Sequence, residues 1–169
     1  MSDTVFEILQ QLQASRFQAL DGARIAASVP VAEHLLNQLI AGALPSGAPV
    51  RTVTIRPEDG DRFSVRIVPK AAILPAITLK LAIEEQPRLP QSAVLVLRMA
   101  SLGGLFGLAS GAISGMFPPG VHLDGDRIRI DLRTIAADHG QAALIEYVTR
   151  LNVHSQAGRA ILKIEAGIG

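Results

Sequence analysis

Alternation of apolar and polar residues runs through the middle of the chain. Phe63, Val65 and Ile67 interleave with Ser64 and Arg66, so a strand over 63–68 would bury one face and wet the other. A partner strand over 50–56 precedes it. The intervening PEDGD carries Asp59-Gly60, a good hairpin turn because glycine accepts positive φ. Over 76–84, Ile77, Leu79, Leu81 and Ile83 alternate with Thr78, Lys80 and Glu84. Residues 92–99 differ: Val94 and Val96 are as apolar as Leu95 and Leu97. A strand greasy on both faces lies between two apolar layers or lines something apolar. A second hairpin turns at Asp124-Gly125, with Ile128, Ile130 and Leu132 opposite Arg127, Arg129 and Asp131. A last pair, 152–155 and 159–165, turns at Gly158, and 24–29 reads as a short strand ended by Pro30.

Helical spacing appears three times. Val5, Ile8, Leu9 and Leu12 follow a capping Asp3, which predicts an amphipathic helix to about Phe17. Pro30 suits the first turn of a second helix capped by Ser28, with Leu35, Leu36, Leu39 and Ile40 as its buried stripe. A third is expected over 141–151, burying Leu144, Ile145, Val148 and Leu151. No linker or low-complexity tract interrupts the chain. The expected architecture is one α+β domain over 1–169, a helix within 1–19 followed by a module over 20–169. It would be built on a mainly antiparallel sheet. LDGARI at 20–25 echoes LDGDRI at 123–128, and each leads through a short strand into a helix.

One stretch escapes both patterns. Between Met99 and Leu123 there is no Asp, Glu, Lys or Arg, and Gly103, Gly107, Gly111 and Gly115 recur at every fourth position. A helix over 101–116 would span about 24 Å, short of the ~30 Å hydrocarbon core, and Pro118-Pro119 stops its extension. Three uses remain: a core helix with a close-approach glycine face, an element lining an apolar groove, or a glycine-mediated subunit contact.

Composition narrows the function. Hydrophobic residues make up 49% of the 169 and charged ones 18%, below the usual quarter, while aromatics are only 4%. The apolar excess is therefore aliphatic, suited to a dry interior and poor in stacking platforms. A net charge of +1 argues against a strong electrostatic pull of the whole chain toward nucleic acid or anionic membranes. Arg51, Arg56, Arg62 and Arg66 cluster, but Glu58, Asp59 and Asp61 sit among them. The chain has no cysteine, which removes disulfides, thiol catalysis and zinc–thiolate sites. Its start lacks the features of a signal peptide, giving a cytoplasmic expectation.

Chemistry finds no carrier. Ser110 and Ser114 lack the G-x-S-x-G frame, and the glycine-rich run lacks a P-loop lysine and dinucleotide spacing. His34, His122, His139 and His154 are scattered. His122 with Asp124 and Asp126 is the nearest thing to a metal cluster, yet the hairpin turn accounts for those aspartates. Glu84 and Glu85 would point apart on a strand. The expectation is a non-catalytic protein without cofactor or metal.

The order of elements resembles the tubular lipid-binding (TULIP) superfamily. The resemblance is carried by LDGARIAASVPVAEHLLNQLI, the strands at 50–56, 63–68, 76–84 and 93–99, PPGVHLDGDRIRIDL, the helix at 141–151 and the closing RAILKIE. It covers most of residues 20–166 and contains no diagnostic motif. It implies a curved, mainly antiparallel sheet wrapped around amphipathic helices and enclosing a channel for a lipid or another long apolar molecule; peripheral membrane contact is a further expectation for such a ligand. The side chains expected to face such a ligand are Ile77, Leu79, Leu81, Leu95 and Leu97 on strands. Leu102, Leu105, Phe106, Leu108, Ile113, Met116 and Phe117 join them from the glycine-rich segment. The alternative is an interaction protein whose apolar excess forms a homo-oligomer or partner interface.

Overall fold

A computed structural model of the chain describes residues 22–100 and 117–167. Strand β1 (Arg24–Ala32) leads into helix α1 (Glu33–Ala43). Then follow β2 (Val50–Glu58), β3 (Arg62–Pro69), β4 (Ile77–Glu85) and β5 (Val94–Met99). After the glycine-rich stretch come β6 (Val121–Asp124), β7 (Arg127–Asp131), α2 (Leu132–Asp138), α3 (Ala142–Tyr147), β8 (Val148–Gln156) and β9 (Arg159–Gly167). The fold is α+β and mainly antiparallel, with one sheet strongly curled into a half-barrel.

There are two sheets. Six strands run in the order β2-β3-β4-β5-β7-β6, and three in the order β1-β9-β8. The Asp59-Gly60 and Asp124-Gly125 turns form as expected, with Gly60 and Gly125 at φ +75° and +61°. The register aligns the alternating residues. Val53 faces Ile67, Ile55 faces Val65, Val65 faces Leu79 and Phe63 faces Leu81. Leu97 in turn faces Ile128, so one apolar face continues across the curl. Phe63, Ile67, Leu79, Leu81, Leu95, Leu97, Met99 and Ile128 are buried there. Val96 points to the opposite face and is only 4% exposed, so β5 is apolar on both sides.

The small sheet is two-faced as well. Val29 pairs with Leu162 and Leu162 with Val153, while Ser28, Lys163 and Asn152 form the next row. Val153 and Ala160 join the core of the large sheet. The sheets meet at the β2–β3 turn. The Ser155 hydroxyl lies 2.6 Å from the Glu58 carbonyl and 2.9 Å from that of Arg62, and Gly158 N donates to Pro57 O at 3.1 Å.

Two strand edges are closed by side-chain amides. Asn37 of α1 donates to the Ile55 carbonyl at 3.0 Å and accepts from its N–H at 2.6 Å, standing in for a strand beside β2. Gln86 treats Val153 of β8 the same way, at 2.7 and 2.9 Å. Both occupy backbone groups that would otherwise be open to another chain.

Several expectations need correction. Pro30 does not begin the second helix and Ser28 does not cap it; the ladder with β9 continues to Ala32, and α1 starts at Glu33. An edge strand tolerates the missing proline N–H. Of the four leucine and isoleucine positions expected to be buried in α1, Leu36 and Ile40 turn toward the large sheet's apolar face, while Leu35 and Leu39 are 43% and 61% exposed. The helix expected over 141–151 ends at Tyr147. Val148 and Leu151 belong to β8, where pairing with β9 over Val148–Gln156 prevails over helical spacing. Leu132 begins α2 instead of ending a strand, because Asp131 accepts from Arg133 N at 3.0 Å and Thr134 N at 3.3 Å and caps it. The helix expected within 1–19 lies outside the described residues.

Candidate functional site

The concave face of the six-stranded sheet encloses a cavity of about 230 Å3. Its floor comes from alternate residues of successive strands: Val53, Val65, Ile67, Leu79, Leu81 and Leu97. Ile128, Ile130 and Val121 extend it to the far edge. The C-terminal half of α1 walls the β2 side through Ile40 and Ala43, joined by the capping residue Leu44, and Phe117 and Pro118 wall the β6 side. Every one of these residues is apolar. Burying a polar group there would leave it without a hydrogen-bond partner, at a cost of about 1–3 kcal/mol. The site therefore selects against polar ligands.

The walls have local causes. Asn37 ties α1 to the edge of β2, which fixes Ile40 one turn further along the helix and Leu44 at its C-cap, where the Leu44 N–H donates to the Ile40 carbonyl at 3.2 Å. On the other side, Gly120 sits at φ +89° and turns the chain from Pro118 into β6. A Cβ at Gly120 would lie 3.0 Å from the Asp131 carbonyl oxygen and 3.1 Å from Thr134 and Ile135 side chains, so only glycine fits there. Val121 N then donates to Pro118 O at 3.1 Å, setting Phe117 and Pro118 beside the cavity.

Of the residues expected to face a ligand, Leu79, Leu81, Leu97 and Phe117 line this cavity. Leu95 and Ile77 share the apolar face but pack in or against the core away from the cavity. Leu102, Leu105, Phe106, Leu108, Ile113 and Met116 lie outside the described residues. Sequence reasoning did not assign Ile40, Leu44, Val53, Val65, Ile67 or Val121 to the site. The strand alternation marked Val65, Ile67, Ile128 and Ile130 as one buried face, but which buried residues bound a void depends on curvature.

The side-chain ion pairs lie elsewhere. On the convex face, Arg127 donates to Glu84 at 2.5 and 3.0 Å, and Arg98 to Asp126 at 3.1 Å. Lys80 reaches Glu58 at 2.6 Å, and Ser64 hydrogen-bonds the same carboxylate. Arg127 holds the Glu84 carboxyl below its ordinary range, and Lys80 and Ser64 do the same for Glu58. Carboxylates kept ionised in this way are poor general acids. His154 Nδ1 lies 3.2 Å from Asp61, whose carboxylate also accepts from Ser155 N at 3.0 Å. With the Ser155 hydroxyl against two backbone carbonyls, this trio joins the sheets. Among the described residues no three His, Asp or Glu side chains gather as a metal site, and His122, Asp124 and Asp126 form none.

Comparison with protein-family profiles, curated proteins and solved structures finds no match to the chain. Among the described residues, no helix is long and apolar enough to cross a membrane.

Proposed function

We propose that the protein is a non-catalytic carrier of a lipid or another long apolar molecule, a TULIP-like module whose concave sheet face takes the aliphatic chain. The observation that carries this reading is the 230 Å3 cavity with a wholly apolar lining. It exceeds the ~150 Å3 at which an engineered apolar cavity already takes up benzene. Burial of each methylene contributes about 0.8 kcal/mol, so a tail of about eight carbons would gain roughly 6 kcal/mol before ordering costs. The lining is aliphatic apart from Phe117 and offers no fixed polar partner, which favours a flexible chain over a planar heteroaromatic with ring nitrogens to satisfy.

Native mass spectrometry of the purified full chain, before and after exposure to mixed phospholipids and fatty acids, tests the reading. The expected result is a bound species of lipid mass that organic extraction releases. A protein that stays at its bare mass and fails to quench or enhance a fluorescent acyl probe refutes it.

A second reading has its own support. Ile25, Val29 and Leu39 are large aliphatic side chains 41–61% exposed, on the small sheet and α1. They would suit an interface with a second copy. Sedimentation at micromolar concentration decides: a strict monomer removes this reading.

A further inference from the structure

The β3–β4 connection is the most exposed apolar feature among the described residues. All seven residues of Lys-Ala-Ala-Ile-Leu-Pro-Ala, 70–76, are exposed, with Ile73 at 91% and Leu74 at 56%. The loop has a definite shape: Leu74 N donates to Ala71 O and Lys70 N to Pro49 O, each at 3.0 Å. A single exposed aliphatic residue needs no explanation, but two adjacent ones at the tip of a hydrogen-bonded turn form a compact apolar wedge.

Among the described residues, charge around the wedge has one sign. Lys70 begins the loop, Arg51 follows Val50, which pairs with Pro69, and Arg66 pairs with Thr78 beside the closing Ile67–Ile77 pair. No Asp or Glu occurs in 34–57 or 62–83. Glu58, Asp59 and Asp61 lie at the opposite end of β2 and β3. The turn bearing Asp124 and Asp126 is level with Ala82, five residues down β4 from Ile77, or about 17 Å away along the strand. An apolar tip backed, among the described residues, by cations matches an anionic bilayer surface, where headgroups are negative and the acyl boundary lies just beneath. Ile67 and Leu79, at the root of this loop, also line the cavity.

We propose that loop 70–76 seats the protein on anionic phospholipid membranes, with Ile73 and Leu74 entering the acyl boundary and Lys70, Arg51 and Arg66 against the phosphates. The inference rests on the lipid reading of the cavity for its purpose, and it puts one end of that cavity next to the bilayer. Flotation of the full chain with vesicles tests it. One set is phosphatidylcholine alone; the other contains one third phosphatidylglycerol. The expected result is binding to the anionic set that weakens with salt. The double change Ile73→Ser, Leu74→Ser should lower it at least about tenfold, and Lys70→Gln about fivefold. Thermal melting checks that both variants fold.

Three outcomes overturn the proposal: no flotation of the wild type, equal flotation of the serine variant, or a wild-type oligomer that the serine variant dissolves. The last would assign the wedge to a second copy. The two readings separate cleanly. A protein that floats but takes up no acyl probe keeps the docking loop and loses the carrier function; one that binds probe but does not float loses only the docking.

Discussion

Val65→Phe tests the cavity with a built-in control. Val65 is half-buried in mid-β3, aligned with Ile55 on one side and Leu79 on the other, and its side chain faces the cavity. A closed void costs about 24 cal/mol per Å3, so 230 Å3 represents at most about 5.5 kcal/mol of forgone packing in a partly open site. A phenyl ring growing into that space should leave stability unchanged or raise it by up to about 1 kcal/mol. The same substitution at Val96, 4% exposed on the other side of the sheet and away from the cavity, should cost about 1–3 kcal/mol through overpacking. Binding should respond in the opposite order. A ring displacing about three methylenes of ligand removes roughly 2 kcal/mol, a weakening of about thirtyfold. Urea unfolding and titration with a fluorescent acyl probe measure the two quantities on the same samples. If Val65→Phe is as destabilising as Val96→Phe, the space is closed core. If it folds well and still binds the probe at the wild-type level, the ligand lies elsewhere.

Other parts of the structure carry their own tests. Asn37→Ala removes two hydrogen bonds to Ile55 and leaves its backbone groups unpaired beside α1; urea unfolding should show a loss of about 2–3 kcal/mol. Gly120→Ala forces a Cβ against the Asp131 carbonyl at positive φ, and should cost about 1–3 kcal/mol and weaken probe binding by shifting Phe117 and Pro118. Glu84 has its folded-state pKa lowered by Arg127, so its stabilising effect is complete above its ordinary value of 4.5 and fades as pH falls through the lower folded value. Unfolding midpoints followed downward from pH 6 should therefore decline more gently below pH 4.5 in Glu84→Gln than in the wild type; parallel curves would refute the pairing.

Much of the large sheet was legible because alternation is a local signal. Phe63-Val65-Ile67 and Ile77-Leu79-Leu81 announce the face they bury, and the two Asp-Gly turns announce how the strands connect. What escaped was decided at a distance. Val148 and Leu151 keep helical spacing with Leu144 and Ile145, but eight residues of pairing with β9 outweigh it. Pro30 looks like a helix start until the ladder to Arg159 holds it as an edge strand. Leu35 and Leu39 match Leu36 and Ile40 in hydrophobicity, yet one pair meets the sheet's apolar side and the other meets water.

The cavity was legible only as an excess of aliphatic residues, and the reason is geometric. A flat sheet bearing the same side chains would present a surface that one helix could cover. Curling six strands into a half-barrel brings Val53 and Ile130, on strands four positions apart in the sheet, to opposite walls of one space. Curvature alone would not keep that space bounded, because a half-barrel has two open edges. At β2 the edge is held by Asn37, a residue whose polar side chain reads from sequence as solvated surface of an amphipathic helix. Its amide pins α1 so that Ile40, Ala43 and Leu44 wall the cavity instead of dropping into it. The decisive residue for an apolar site is thus a polar one. Asn37→Leu should separate the two roles: it supplies more apolar surface than asparagine but no partner for Ile55. An interior governed by hydrophobicity alone would gain stability and keep its probe. The loss of both, read by unfolding and probe titration together, is the outcome that an edge-pinned wall requires.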